Sequence, residues 1–131
     1  MVAAVAAILI ALGGALGSLA RYYASEALAL ALGPSFPWGT LLVNVTGSLV
    51  IGAAAGASYG DVRLVTLPLV RNFVMVGLCG GYTTFSAFSL QTVSMLQVGD
   101  LARAGANVAA SVASCLIATW AGYALAVALA R

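Results

Sequence analysis

Long apolar runs, separated by short groups of polar and turn-forming residues, divide this chain into four segments. A helix needs about 20 mainly apolar residues to cross a bilayer, and every segment meets that length. We predict membrane-spanning helices at about residues 3–32, 38–59, 67–98 and 101–130. Glycine or proline stands in each turn between them, and both residues end helices. The pattern predicts a single all-α membrane domain over residues 1–131.

The composition supports lipid as the solvent of this chain. It is 63% hydrophobic and only 6% charged, whereas soluble domains carry about 25% charged residues. The net charge of +2, with no basic run, gives no reason to expect nucleic acid as a partner. No basic stretch precedes the first apolar run, so we expect a retained first helix in a cytoplasmic membrane rather than a cleaved signal peptide.

Catalytic chemistry finds little support in the sequence. The chain has no His and only three carboxylates, and it shows no pairing of a nucleophile with a base. Cys79 and Cys115 both lie in apolar segments, where a thiol usually serves as a small buried filler. We therefore expect neither an enzyme nor a disulfide framework.

The arginines give only a weak preference for one orientation in the membrane. With four helices, Arg63 and Arg131 lie on the same side, joined by Arg71 if it is close enough to the helix end. The opposite side has Arg103, and Arg21 if that residue reaches the interface. The positive-inside rule depends on this asymmetry, which is one residue or none. The chain could insert both ways, or in one orientation set by Arg63 and Arg71.

Small residues recur every fourth position on the first two helices. They are Gly13 and Gly17, then Ser48, Gly52 and Gly56. Such stripes let helix backbones approach closely. They would serve either packing within one chain or dimerisation, and the spacing does not distinguish these two uses.

The third segment contains the most unusual stretch, in which the pair Gly80-Gly81 is followed by hydroxyl residues and two phenylalanines. We predict that the helix breaks near residues 80–83, in the middle of the membrane. Irregular backbone at that depth must be covered by protein or line a water-filled path. Broken helices at the midplane are typical of ion sites in channels and transporters, so this stretch indicates an ion pathway.

Polar side chains also follow single faces of the second and fourth helices. Asn44 and Ser48 are four residues apart, as are Asn107, Ser111 and Cys115. Such residues can be hydrogen-bond links between helices or donors that line a pore. Two stripes together with the predicted break favour a polar path.

Two further pairs each allow two interpretations. Arg21 is structural or faces an aqueous vestibule, since a charge at the bilayer centre costs about 2.5–3.5 kcal/mol and usually marks a pathway or a pair. Glu26 lies five residues further on, nearer the end of the helix. Phe85 and Phe88 share a helical face and would ordinarily be packing residues. Their positive ring edges could instead solvate an anion weakly.

Three blocks of this sequence resemble the signature blocks of the Fluc (CrcB) fluoride channels. The blocks are Gly13–Tyr22, Gly39–Ser48 and Gly77–Phe88. The match covers nearly the whole chain in the right order. It implies a passive fluoride exporter of a microbial cytoplasmic membrane, built as an antiparallel, dual-topology homodimer with two pores.

The resemblance also implies roles for individual residues. We expect six residues to line the fluoride pore: Asn44, Thr84, Phe85, Ser86, Phe88 and Ser111. Arg21 would match the basic residue of the vestibule, and the backbone carbonyls of Gly80 and Thr83 would hold a structural sodium ion on the dimer axis. Two positions depart from the family pattern: Ala87 stands where many relatives have Thr, and Cys115 stands where the polar track often continues with Ser.

Two other functions compete with this interpretation. A small dual-topology multidrug or cation transporter would need a membrane-buried carboxylate, for which Glu26 is the candidate. A non-transporting assembly or anchor subunit would explain the glycine stripes, but it would not need the Thr-Thr-Phe-Ser sequence at the break.

Overall fold

The structure of the protein is a computed structural model that describes residues 1–58 and 67–130. Over these two ranges the regular structure is entirely helical. The elements in chain order are α1 (Val2–Leu32), α2 (Trp38–Ala57), α3 (Pro68–Arg71), a π-helical segment π1 (Asn72–Cys79), α4 (Gly80–Tyr82), α5 (Phe85–Gln97) and α6 (Leu101–Leu129).

The predicted set of four spans is confirmed. Within the described ranges, four helical stretches are long and apolar enough to cross a membrane: α1, α2, the run Pro68–Gln97 and α6. The shortest, α2, has 20 residues and so extends about 30 Å at 1.5 Å per residue, close to the thickness of a bilayer's hydrocarbon core. The expected end of the second span at Tyr59, the loop at residues 60–63 and the charge of Arg131 lie outside the described residues.

The chain turns between the helices at two glycines with positive φ. Gly33 follows α1 and Gly99 follows α5, each with φ of 78°, a region that costs glycine least. Asp100 then caps α6, because its carboxylate accepts a hydrogen bond of 3.1 Å from the backbone N–H of Arg103. The Arg103 Nε also lies 3.4 Å from Asp100 Oδ2.

The glycine stripe of α2 packs inside the chain, against α6. A Cβ atom built at Gly52 would lie less than 3.0 Å from the carbonyl oxygen of Thr119, and one at Gly56 would lie less than 3.0 Å from the carbonyl oxygen of Tyr123. Gly122 on α6 makes the reciprocal approach to the Leu49 carbonyl. The two backbones are therefore in direct contact, as small residues at helix interfaces allow.

The stripe of α1 packs in the same way against the third span. Cβ atoms at Gly13 and Gly17 would come within 3.0 Å of the Phe73 and Leu78 carbonyls respectively, and one at Gly81 would collide with Gly14. For both stripes the structure therefore shows use within the chain, which the spacing alone left undecided.

The third span loses its helical backbone at Thr83 and Thr84. Thr83 has φ −83° and ψ 157°, and Thr84 has φ −152° and ψ 112°, both extended. Gly80 is helical, with φ −63° and ψ −37°. The prediction placed the break near residues 80–83, and the non-helical backbone lies at the end of that range and one residue beyond it. Gly81 stays helical to pack against α1, and the interruption consists of the two threonines that follow.

Candidate ion pathway

A cavity of about 350 Å³ lies between α2, the interruption of the third span and α6. The lining residues are Asn44, Gly47, Ser48, Ile51, Cys79, Thr83, Thr84, Phe85, Phe88, Ser111, Val112, Cys115 and Leu116. No charged residue is among them in the part of the chain that the structure describes. Polar side chains that the sequence could place only on separate helices thus meet around one neutral space.

Asn44 on α2 binds both backbone polar groups of Thr84. Its Nδ2 donates to the Thr84 carbonyl at 3.0 Å, and its Oδ1 accepts from the Thr84 N–H at 2.8 Å. Extended backbone inside a helical span has no neighbouring strand to satisfy it, so the side-chain amide takes that place. Nδ2 carries two N–H groups, of which one is used in this contact, and Asn44 also lines the cavity.

Two more contacts attach the interruption to the same face of α2. The Tyr82 hydroxyl lies 3.0 Å from Thr46 Oγ1. The methyl group of Thr83 packs on Gly47, where an added Cβ would lie less than 3.0 Å from it. The Thr83 hydroxyl turns back to donate to the Cys79 carbonyl at 2.9 Å. The extended residues are therefore fixed by their surroundings.

Thr84 is also the N-cap of α5. Its Oγ1 accepts a hydrogen bond of 3.1 Å from the Ala87 N–H, which satisfies one of the free N–H groups at the start of the helix. The Ser86 hydroxyl lies 3.1 Å from the same Oγ1. Ser86 itself is exposed and absent from the cavity lining, and its hydroxyl is joined to the site through Thr84.

Phe85 and Phe88 are in ring contact but in different environments. Their centroids are 5.3 Å apart with 49° between the ring planes, and both line the cavity. Phe88 is 8% exposed, whereas Phe85 is 77% exposed. One ring therefore belongs to the interior of the protomer and the other to its surface.

A buried hydrogen-bond chain runs from the cavity wall into the interface of α5 and α6. Ser111 Oγ donates to Asn107 Oδ1 at 3.4 Å, Asn107 Nδ2 donates to Thr92 Oγ1 at 2.9 Å, and Thr92 Oγ1 donates to the Phe88 carbonyl at 2.8 Å. Asn107 is only 1% exposed. Thr92 was missed by sequence reasoning, although its place four residues after Phe88 puts it on the same helical face.

Two backbone carbonyls at the interruption lose their helical partners. The Thr84 N–H would close the turn on the Gly80 carbonyl, but it donates to Asn44 Oδ1. The Ala87 N–H would reach the Thr83 carbonyl in a continuous helix, but it donates to Thr84 Oγ1. The carbonyls of Gly80 and Thr83 are therefore released from the α-helical hydrogen-bond pattern.

The charged candidates of the first span lie away from this cavity. Arg21 is partly buried, and its Nε has no hydrogen-bond partner among the described residues. Glu26 is exposed and lines a separate cavity of about 650 Å³ at the end of the bundle, together with Asp100 and Arg103. The structure thus brings together Asn44, Thr84, Phe85, Phe88 and Ser111, but neither Arg21 nor Glu26.

Comparisons with known proteins identify a family for this chain. The sequence model of the CrcB-like protein family (Camphor Resistance, CrcB) matches residues 8–123. Three similar proteins are each named fluoride-specific ion channel FluC. The relative from Rhodospirillum rubrum is 54% identical over 87% of this chain and 88% of its own. The one from Opitutus terrae is 51% identical over 92% and 91%, and that from Methylocella silvestris is 48% identical over 92% of each chain.

The family model matches most of this chain. The family match includes α2, the interrupted third span and Ser111. Together with the four apolar helices, it makes the protein a multi-pass membrane protein. This chain belongs to the CrcB-like protein family.

Proposed function

We propose that the protein is a fluoride channel that lets fluoride leave the cell passively across the cytoplasmic membrane and so lowers its intracellular concentration. The observation that carries the proposal is the neutral cavity in which Asn44, Ser111, Phe85 and Phe88 meet. The names of the relatives, all at about half identity over most of the chain, support fluoride as the ion.

The cavity offers donors without a fixed charge. Fluoride is strongly hydrated, so a narrow path must replace its water with hydrogen-bond donors. The second N–H of Asn44 and the hydroxyl of Ser111 are such donors, and the ring edges of Phe85 and Phe88 add a weak positive potential. Conduction needs binding that is weak enough for the ion to leave, and a set of neutral groups meets that need.

The C-terminus of α4 and the N-terminus of α5 meet at the interruption, and these two ends favour ions of opposite charge. α5 begins at the cavity with Phe85, and the N-terminus of a helix carries a partial positive charge that favours anions. α4 ends at Tyr82, with the released carbonyls of Gly80 and Thr83 beside it. In the proposed channel this interruption lies near the middle of the membrane, where discontinuous helices of transporters bind their ions.

The released carbonyls fit a structural sodium ion. Unwound backbone carbonyls are known sodium ligands in discontinuous helices, and the oxygens of Gly80 and Thr83 have lost the N–H groups that would otherwise occupy them. A bound cation there would supply a positive potential that favours anions nearby.

Replacement of all sodium by a bulky organic cation should reduce fluoride flux or the stability of the assembly. Thr83→Val keeps the carbonyl and serves as the control that retains sodium dependence. If neither fluoride flux nor the stability of the assembly changes when sodium is replaced, the proposal of a structural sodium ion is wrong.

The proposed assembly is an antiparallel homodimer with two pores. The exposure of the Phe85 ring, which lines the cavity at its edge, is consistent with a second copy covering that face. The small Lys/Arg asymmetry of the sequence is consistent with insertion in both orientations. Surrounding lipid would cover the remaining apolar surface, such as Leu12, Leu16 and Leu19 on α1.

Arg21 is proposed as a vestibule residue. A buried N–H without an acceptor costs free energy, and Arg21 Nε has none among residues 1–58 and 67–130. Its cationic group would raise the local concentration of anions near the pathway.

Fluoride efflux from liposomes that contain the purified protein tests the function directly. We expect rapid fluoride efflux and much slower chloride efflux under the same conditions. Proton-coupled cation transport abolished by Glu26→Gln would indicate the multidrug transporter instead. A folded protein that gives no ion flux would indicate an assembly subunit.

A further inference from the structure

We propose that Thr92 is a positioning residue for anion passage, acting through Asn107 on the Ser111 hydroxyl. The inference rests on the proposed function, since it assigns a role at the wall of the same cavity. Thr92 lies outside the cavity lining, and it is buried on α5 opposite the buried Asn107 of α6.

Three hydrogen bonds link Ser111, Asn107 and Thr92 to the Phe88 carbonyl, and the direction of each is set by the bond to that carbonyl. The Phe88 carbonyl can only accept, so the single proton of the Thr92 hydroxyl is donated to it. Thr92 Oγ1 can then only accept from Asn107, which must present Nδ2. The two ends of an amide have nearly the same shape, so its orientation is set by its partners. Here Thr92 turns the Asn107 Oδ1 toward Ser111.

Ser111 consequently has a weak acceptor for its proton when no anion is near. The distance from Ser111 Oγ to Asn107 Oδ1 is 3.4 Å, longer than the usual 2.5–3.0 Å of a hydroxyl hydrogen bond, so the bond is easily exchanged. Ser111 lines the cavity, and its hydroxyl can rotate toward a passing anion. The Ser111 O–H donates to Asn107 Oδ1 again as the anion moves on, which keeps binding weak enough for conduction.

Removal of the Thr92 hydroxyl should reverse this arrangement. In Thr92→Val the buried Nδ2 of Asn107 loses its acceptor. The acceptor that remains for it in this set of hydrogen bonds is Ser111 Oγ. The amide then turns and donates to Ser111, whose O–H is released from Asn107 Oδ1 and can be donated to the anion. Fluoride is held more tightly and leaves more slowly.

The test is the dependence of flux on fluoride concentration in liposomes. For Thr92→Val we expect both the maximal flux and the half-saturating fluoride concentration to fall at least about fivefold, the lower range for the loss of one buried hydrogen bond. Thr92→Ser, which keeps the hydroxyl, should behave as wild type. Thr119→Val is the matched control, because its hydroxyl donates to the Cys115 carbonyl of its own helix, α6.

Two further variants separate positioning from a general loss of structure. Asn107→Leu also deprives Ser111 of its acceptor and should lower the half-saturating concentration, even if Thr92→Val folds poorly. In a Ser111→Ala background, Thr92→Val should have no further effect, because contacting residues that act through one group are not additive.

The outcomes distinguish this inference from the function on which it rests. Absence of fluoride flux in the wild type would overturn both. Normal wild-type flux with unchanged half-saturation in Thr92→Val and Asn107→Leu would overturn the positioning role alone. A full effect of Thr92→Val in the Ser111→Ala background would do the same.

Discussion

At the scale of single residues, the side-chain amide of Asn44 makes the two backbone hydrogen bonds that a neighbouring β-strand would make to an extended residue. Asn44 both donates to and accepts from the backbone of Thr84, which keeps two polar groups satisfied where the helix stops. An Asn can do this because it has a donor and an acceptor at one end. Its second N–H can still face the cavity. The structural and the pore-lining interpretations of Asn44 are therefore compatible.

Asn44→Asp should reduce both stability and fluoride flux. A carboxylate cannot donate to the Thr84 carbonyl, and one buried unsatisfied group costs about 1–3 kcal/mol, with more for a charge. Thermal unfolding in detergent and liposome flux would measure the two effects. Asn72→Asp, at the start of π1 and outside the cavity lining, is the matched control. A variant at position 44 as stable and as conductive as that control would contradict the proposed pairing.

The two phenylalanines allow packing to be separated from ion solvation. Phe85→Ile should cut fluoride flux with little loss of stability, because the ring is 77% exposed in the protomer and Ile has no positive ring edge. Phe88→Ile should cut flux and also cost up to about 1.5 kcal/mol, since that ring is buried. Flux and thermal unfolding of both variants provide the measurement. Near wild-type flux in both, with normal assembly, would mean that the rings do not solvate the ion.

Sequence reasoning identified most polar groups of the site but not their partners. Asn44, Ser111 and Asn107 are conspicuous because polar residues are rare in apolar runs. Thr92 is not, since a lone hydroxyl in a helix usually bonds the preceding turn. Its role depends on the approach of α5 and α6, which no local pattern encodes. The different exposures of Phe85 and Phe88 likewise depend on tertiary packing.

At the scale of elements, backbone contact between helices is set by glycine. α2 meets α6 at Gly52, and α1 meets π1 at Gly13 and Gly17. The long apolar runs made the helices predictable, because lipid leaves helices as the natural way to satisfy the backbone. The position of the interruption was less predictable, since glycine both permits breaks and permits close packing. Gly81 permits close packing, against Gly14 of α1.

Gly52→Ala should destabilise the protein, while Gly105→Ala should not. A Cβ at Gly52 would lie within 3.0 Å of the Thr119 carbonyl, and forcing apart two packed helices costs about 1–3 kcal/mol. Beyond its chain neighbours and the adjoining α6 backbone, no atom of residues 1–58 and 67–130 lies within 4 Å of a Cβ at Gly105, where Ala gains up to about 1 kcal/mol of helix propensity. Thermal unfolding compares them. Equal unfolding temperatures would argue against direct contact between α2 and α6.

At the scale of the whole molecule, the proposed dual topology concerns where the ends of the chain lie. An even number of spans places both termini of one molecule on the same side. We expect tags at either terminus to be accessible from both faces of the membrane in intact cells. The reason is that so small an arginine asymmetry barely favours one orientation.

A charge added to one turn provides the control for that experiment. Leu101→Lys places a second cation near Arg103 at the exposed start of α6, and should shift the population toward the orientation with this helix end in the cytoplasm. Dual topology would be contradicted if the tags of the wild type are accessible from a single face of the membrane and Leu101→Lys does not change that accessibility.

The pairing of Asn44 with Thr84 also has a consequence for biosynthesis. When the third span leaves the translocon, the N–H and carbonyl groups of Thr84 would face lipid without a partner, at a cost of several kcal/mol for each group. α2 precedes this span in the chain and presents Asn44, so the partner is already synthesised when it is needed. The helix that supplies the polar partner thus precedes, in the order of synthesis, the span whose backbone needs it.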